Sequence, residues 1–211
     1  MSQIIVSKCK KCQRAGVKLF LRGERCFSNK CKLEKKRPLG RMRRTGRGRS
    51  RRLSEYGQQL KEKQKLRWMY GLSEKQFERT YQKAERSSKV TGEEFLCLLE
   101  RRLDNVVYRL GFSSSRAQAR QLVAHGHFLV NSRKVDIPSY LVKEEDLIEP
   151  RAKSKKLVLI KQNLSTNEKR SLLEWLELDK TSLKGKVKRL PQAEELDQEV
   201  NISLIVEFYS R

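Results

Sequence analysis

Between residues 54 and 124 apolar positions recur at three- and four-residue intervals, the pattern of helices buried on one face. Ser54 is placed to cap a helix running to about Tyr70, with Leu60 and Leu66 among Lys61, Lys63, Lys65 and Arg67. Gly71 ends it. Ser73 with Gln76 forms a capping box for a second helix, with Phe77, Tyr81 and Ala84 on one face. Thr91 with Glu94 repeats the device. The helix it opens carries Leu96, Leu99, Leu103, Val106 or Val107, and Leu110, and Gly111 stops it. Ser115 caps a shorter helix whose apolar face is Ala119, Leu122 and Val123, while Arg116 and Arg120, four apart, project from one side.

Past Gly126 the period changes. HFLVN (127–131) reads as a strand, SRK (132–134) as a tight turn, VDIPSYLV (135–142) as a second strand and DLIEP (146–150) as a third. LVLIKQ (157–162) has strand composition, and WLELD and KGKVKRLP predict further extended pieces around Gly185. Pro191 opens an acidic stretch, EELDQE. The end, NISLIVEFYSR, is apolar and fits helix or strand. The sum is an α+β chain: helices first, then two helices leading into a small antiparallel sheet.

The first fifty-two residues follow neither period. They hold nineteen Lys and Arg against Glu24 and Glu34, a net of +17 out of +24 for all 211 residues. KLEKKRPLGRMRRTGRGRSRR (32–52) is almost free of apolar residues and broken by Pro38, Gly40, Gly46 and Gly48. Such a run repels itself, and its Arg forks match phosphates, so we expect an extended arm that orders on a polyanion. With 37% apolar and 35% charged residues the chain can build small cores rather than one large one. No stretch of about 18 apolar residues exists, and MSQIIVSKCKKC lacks the features of a signal peptide, so an intracellular protein is expected.

Four of five cysteines lie in the same basic segment. Cys9 and Cys12 are separated by two residues, Cys26 and Cys31 by four, and thirteen residues lie between the pairs. A tight turn at each pair, with a hairpin through VKLFL (17–21) turned by Gly16 and Gly23, would bring four thiolates around one ion. Flanking lysines should lower the thiol pKa. Zinc is the default ion; a four-iron four-sulfur cluster is the alternative. Cys97, in the apolar run EEFLCLLERRL, is read as a small buried hydrophobe. Tyr56, Trp68 and Tyr70 are candidates for base stacking, against the commoner role of core or interface anchors. His125 and His127 lack a carboxylate or thiol nearby and are read as a helix-to-strand turn with RNA contact.

The stretch LLERRLDNVVYRLGFSSSRAQARQLVAHGHFLVNSRKVDIPSY closely resembles the RNA-binding domain of the S-four family of bacterial-type small-subunit ribosomal proteins. Other motifs match in order: the CKKC and CFSNKC pairs, GVKLFLRGERC, LKEKQKLRWMYG, KGKVKRLP and LIVEFYSR. The resemblance spans nearly the whole chain and maps the family's cysteine site onto Cys9, Cys12, Cys26 and Cys31. It departs at PLGRMRRTGRGR, where many relatives carry a Pro-Gly-Gln-x-Gly stretch. It implies a metal-bound N-terminal knot and basic arm (1–45), a helical domain (46–97) rejoined by the C-terminal segment (191–211), an inserted RNA-binding domain (98–162) and an extension of it (163–190).

The resemblance also implies a role. The protein would bind small-subunit ribosomal RNA first, nucleate assembly of one lobe, adjoin ribosomal protein S-five at an interface affecting accuracy, and lie near the messenger RNA entrance. Its place would be the bacterial cytoplasm rather than an organelle. The candidate RNA contacts are Arg14, Lys18 and Arg22 beside the cysteines, and Lys35, Lys36, Arg37, Arg41, Arg43, Arg44, Arg47, Arg49, Arg51 and Arg52 in the arm. Tyr56, Lys61, Lys63, Lys65 and Arg67 follow on the first helix, and Arg116, Arg120, His127, Arg133 and Lys134 in the module. An RNA-modifying enzyme would need a separate catalytic domain, for which too little chain remains, and no catalytic cluster or nucleotide-binding glycine loop is visible. A zinc-dependent DNA regulator would show a recognition helix and a dimer element, and neither is evident.

Overall fold

The computed structural model describes residues 7–34, 53–155, 157–167, 172–192, 195 and 200–211. The chain divides into two compact units, one of residues 1–69 with 199–211 and one of residues 70–198. The first unit contains α1 (Lys8–Ala15), a short 3-10 turn (Gly23–Cys26), most of α2 (Glu55–Tyr70) and, at the far end of the chain, α9 (Ile202–Tyr209). The second contains α3 (Glu74–Glu85), α4 (Thr91–Glu100), α5 (Leu103–Arg109), α6 (Arg116–Ala124), α7 (Ala152–Lys155), α8 (Val158–Thr166) and one sheet. Among the described residues no helix is long and apolar enough to cross a membrane.

In the first unit the end of the chain returns to α2. Gln59 Nε2 donates to Glu207 Oε2 at 3.1 Å, and Glu62 Oε2 accepts from the Asn201 backbone N–H at 3.2 Å. Asn201 also caps α9 through the Ser203 N–H, which settles NISLIVEFYSR as a helix. The cysteine segment differs from its expectation. Cys9 and Cys12 sit on α1 rather than on a tight turn, and residues 17–21 form no strand. Gly16, at φ 79°, caps α1, and Phe20, at φ 48°, turns the chain back so that its ring stacks on Phe27 at 5.0 Å.

In the second unit α3 and α4 pack through Phe77 and Tyr81 against Phe95, both edge-on, at 5.0 and 5.5 Å. The predicted caps at Ser73 and Ser115 hold, each accepting a backbone N–H at 3.3 Å. The expected single helix from Thr91 to Leu110 does not. It breaks at Arg101–Arg102, because these residues pair with the 138–142 loop: Val142 N–H donates to Arg101 O, and Leu103 N–H donates to Tyr140 O. Arg102 then clamps Asp104 through two bonds of 3.1 and 2.9 Å.

The sheet has strand order β2-β1-β3-β5-β4, all antiparallel, from β1 (Phe128–Val130), β2 (Arg133–Lys134), β3 (Leu147–Pro150), β4 (Leu176–Asp179) and β5 (Lys184–Val187). The tight turn lies one residue earlier than SRK: Asn131 and Ser132 both take positive φ, and Arg133–Lys134 are already strand. Most of VDIPSYLV is the loop that docks on the α4–α5 break. Asn131 fastens the turn, donating to Asp146 Oδ1 at 2.7 Å and accepting the Leu147 N–H at 2.9 Å. Gly185 leaves no room for a side chain, since a Cβ there would fall 2.5 Å from Leu110 Cδ1.

LVLIKQ is helical, within α8, instead of a strand. Ile160, Asn163, Leu164 and Asn167 share one helical face. Ile160 is fully buried, and the two amides donate to the Phe112, Gly111 and Ser113 carbonyls at 3.0 to 3.1 Å. The core of this unit joins α5, α6, α8 and the sheet around Leu103, Val106, Phe112, Phe128, Ile148, Trp175 and Val187.

Candidate nucleic-acid interface

The candidate cations separate into three groups. The arm residues Lys35, Lys36, Arg37, Arg41, Arg43, Arg44, Arg47, Arg49, Arg51 and Arg52 lie outside the described residues. Of the rest, Arg14, Arg22, Lys61, Arg133 and Lys134 are exposed. Arg133 and Lys134 project from the edge strand β2, where Lys134 Nζ lies 3.4 Å from Asp136. Tyr56 is half exposed, its ring 5.6 Å from Phe208.

Several others face inward. Lys63 and Lys65 are buried: Lys63 Nζ sits 4.3 Å over the Phe208 ring, and Lys65 Nζ lies 3.4 Å from Glu62 Oε2. Arg67 is partly buried, and Lys18 bonds Glu34. Arg120 is half-buried, and its guanidinium donates to Gly71 O at 2.9 Å and Gln76 Oε1 at 3.5 Å. Helical spacing does place Arg116 and Arg120 together, but it does not say which way the stripe faces.

Arg116 shows the difference most clearly. Its side chain is only 12% exposed. The guanidinium lies between the Tyr70 and Tyr108 rings, 4.8 and 4.9 Å from their centroids, and Nε donates to Asn105 Oδ1 at 2.7 Å. Beneath it Glu100, fully buried, accepts from Asn105 Nδ2 (2.7 Å), Arg109 Nη2 (2.7 Å), Arg109 Nε (3.1 Å) and the Tyr70 hydroxyl (2.5 Å). Burial alone would raise the Glu100 pKa. The charge and hydrogen bonds of Arg109, with Arg116 and Tyr70, outweigh it and hold the carboxyl at about 2. Burial, then the Glu100 charge, push the Tyr70 hydroxyl well above its ordinary value, so it stays a donor. Arg116 thus fixes where α6 sits instead of sharing a surface with Arg133 and Lys134. The sequence carried a signal for this network: Glu100 is the carboxylate that closes the apolar run FLCLL.

Around the α6–β1 turn the structure adds groups that spacing did not bring together. Arg151 Nη1 donates to Gly126 O at 3.4 Å, and His127 Nδ1 lies 2.9 Å from Ser154 Oγ. Lys153, on α7, is exposed.

The cysteine segment gathers its thiols without closing a ligand set. Cys9 and Cys12 face one side of α1, three residues apart, and Cys12 feels the charge of Cys26, Cys9 and Cys31. Arg22 N–H donates to Cys26 Sγ at 3.3 Å, and Arg22 Nη1 lies 3.9 Å from Cys9 Sγ. Among the described residues no three His, Cys, Asp or Glu side chains converge as a metal group. The donor chemistry fits a thiophilic ion; the placement stops short of a closed tetrahedron. The expected lowering of thiol pKa is reversed at Cys12, where burial pushes the thiol up. Cys97 is buried, as expected of a small hydrophobe.

Comparison with known proteins places this geometry. Residues 3–100 match the family described as Ribosomal protein S4/S9 N-terminal domain, and residues 101–148 match the S4 domain. The chain is 52% identical over 212 aligned residues to small ribosomal subunit protein uS4 of Thermus thermophilus, with all of both chains covered. It is 50% identical to the uS4 of Syntrophobacter fumaroxidans and 49% to that of Thermodesulfovibrio yellowstonii, again over the whole of both chains. These relatives are ribosomal proteins rather than enzymes. With two family domains in order on one α+β fold and end-to-end identity of about half, the chain belongs to the uS4 family of small ribosomal subunit proteins.

Proposed function

We propose that this chain is a structural protein of the small ribosomal subunit in the bacterial cytoplasm, binding subunit RNA through its S4 domain and its basic N-terminal segment. The observation that carries this is the end-to-end match to uS4 proteins, with the S4 domain falling on the unit that bears Arg133 and Lys134. In the finer reading it binds early, holds a multi-helix junction, and so nucleates assembly of one lobe. It then adjoins ribosomal protein S-five at an interface affecting accuracy, near the messenger RNA entrance. The mechanism is electrostatic clamping with recognition of folded RNA shape, without chemistry. At equal salt the full chain should bind deproteinised small-subunit ribosomal RNA at least about tenfold more tightly than duplex DNA of the same length. Equal affinities would reduce the protein to a nonspecific polycation.

The second part of the proposal concerns the quartet. Cys9, Cys12, Cys26 and Cys31 hold zinc, or alternatively a four-iron four-sulfur cluster. What supports this is the pairing of Cys9 with Cys12 on α1, three residues apart, and the Arg22 N–H donated to Cys26. When bound, the metal supplies a cross-link between α1 and the 3-10 turn. The chain's own residues set the approach of the pairs, through the α1 face and the reversal at Gly16 and Phe20. Metal analysis of anaerobically purified protein should find one centre per chain. The double variant Cys9→Ser, Cys12→Ser should lose it and exchange amide protons faster across residues 8–34, with residues 101–148 unchanged. Equal protection in both proteins would refute a structural metal.

A further inference from the structure

His125 and His127 flank Gly126, with rings near-parallel at 13° and centroids 6.2 Å apart. With Gln118, Gln121, Leu122 and Leu159 they line a cavity of about 190 Å³. Drug-sized sites run to about 300–1,000 Å³, so this one suits a single heterocycle. Rings in full face contact have centroids about 3.5–4 Å apart. With centroids 6.2 Å apart, the two imidazoles do not cover each other in full face contact, which leaves ring surface open to a guest. His127 is held by the buried Ser154, whereas His125 is exposed and can turn its ring onto a guest. Leu159, 41% exposed, gives the cavity an apolar wall.

Cations converge on the same turn. Arg151 Nη1 donates to Gly126 O, and Lys134 lies so close over Gly126 that a Cβ there would fall 2.4 Å from its Cε. Gly126 has φ 69°, which lets the two imidazoles flank one turn while the backbone stays under Lys134.

We propose that this cavity is a pocket for one unpaired RNA nucleobase, stacked against His125 and His127, with its phosphate beside Lys134 and Arg151. Folded RNA is read through unpaired bases splayed onto aromatic and imidazole rings, whereas phosphate contacts alone carry no sequence information. The inference rests on the reading of the S4 domain as an RNA binder and names a position within it. Gln121, exposed at the rim, offers an amide to the edge of the base.

The test uses the full chain with a uridine octamer and an abasic octamer of equal charge, read by fluorescence anisotropy at one salt concentration. The uridine octamer should bind about tenfold more tightly, the worth of one stacked base. A 4-thiouridine octamer should photocrosslink within residues 118–127 or at Leu159. His125→Ala should abolish the preference and those crosslinks with abasic binding unchanged, and His125→Phe should restore both. Leu159→Ser, on a different element, should give the same loss. Equal binding of the two octamers, or a preference that survives His125→Ala, overturns the pocket. If the chain binds deproteinised subunit RNA in the same assay, the parent reading stands; if it does not, that reading fails separately.

Discussion

Glu100→Gln should lower the stability of the 70–198 unit by about 3–5 kcal/mol, the cost of removing one partner from a buried charge cluster. The variant keeps the size of the side chain and removes only its charge and one acceptor. Arg109 then points two donors at a neutral amide, and Arg116 keeps its place between two tyrosine rings without the carboxylate beneath it. Denaturant unfolding followed by the fluorescence of the buried Trp175 measures the loss. A loss under about 1 kcal/mol would mean that the cluster is neutral in net effect, as some buried ion pairs are when replaced whole. The pH dependence gives an independent check. Glu100 is held at about 2 in the folded chain, below its ordinary 4.5, so its contribution is present above the ordinary value. It drains as pH falls from about 4.5 toward about 2. The gap between wild type and Glu100→Gln should therefore narrow across that window, because protonated Glu100 is nearly the amide.

The same cluster explains which parts of the molecule were legible in the sequence. Helix limits set by local chemistry mostly were: Ser73, Ser115, Gly71 and Gly111 act within a few residues and fall where the pattern put them, whereas Thr91 forms no capping box and lies inside α4, behind an N-cap at Val90. The antiparallel sheet was legible in part: HFLVN, DLIEP and the pieces flanking Gly185 supply strands, whereas most of VDIPSYLV is loop and the expected turn SRK supplies β2. The errors came where a distant partner decides. The α4–α5 helix breaks because residues 138–142 compete for its backbone. The run at 157–162 is helical because two asparagines reach the 111–113 carbonyls, a period visible only when Asn is counted on the buried face. Surface cations were the least legible. Lys63, Lys65 and Arg116 read as RNA-facing cations, yet Lys63 and Arg116 are turned inward by aromatic rings far away in sequence, at Phe208 and Tyr70, and Lys65 is buried beside Glu62 one turn back on its own helix. Positive charge told of the partner; it did not say which charges meet it.

That distinction yields the last prediction. The affinity of the full chain for small-subunit RNA should fall steeply with salt. About six to ten neutralised phosphates correspond to a loss of about 10³–10⁵-fold between roughly 50 and 200 mM. Most of the available charge lies in the first fifty-two residues, at +17, so the slope should be set largely there. Within the S4 domain, replacing both Arg133 and Lys134 by Ala should reduce the slope by about 1.4 to 1.8, at 0.7–0.9 per lost phosphate contact. Arg116 should behave differently. Its guanidinium is inside the Tyr70–Tyr108–Glu100 cluster, so Arg116→Gln should weaken folding. At temperatures where the variant stays folded, its slope should remain unchanged. A slope reduced by the same step as at Arg133 would put Arg116 on the RNA after all, and the inward geometry would then describe only the unbound chain. Binding that ignores salt would remove the clamp altogether, since counterion release is the one term that a strongly basic segment contributes whatever the sequence of its partner.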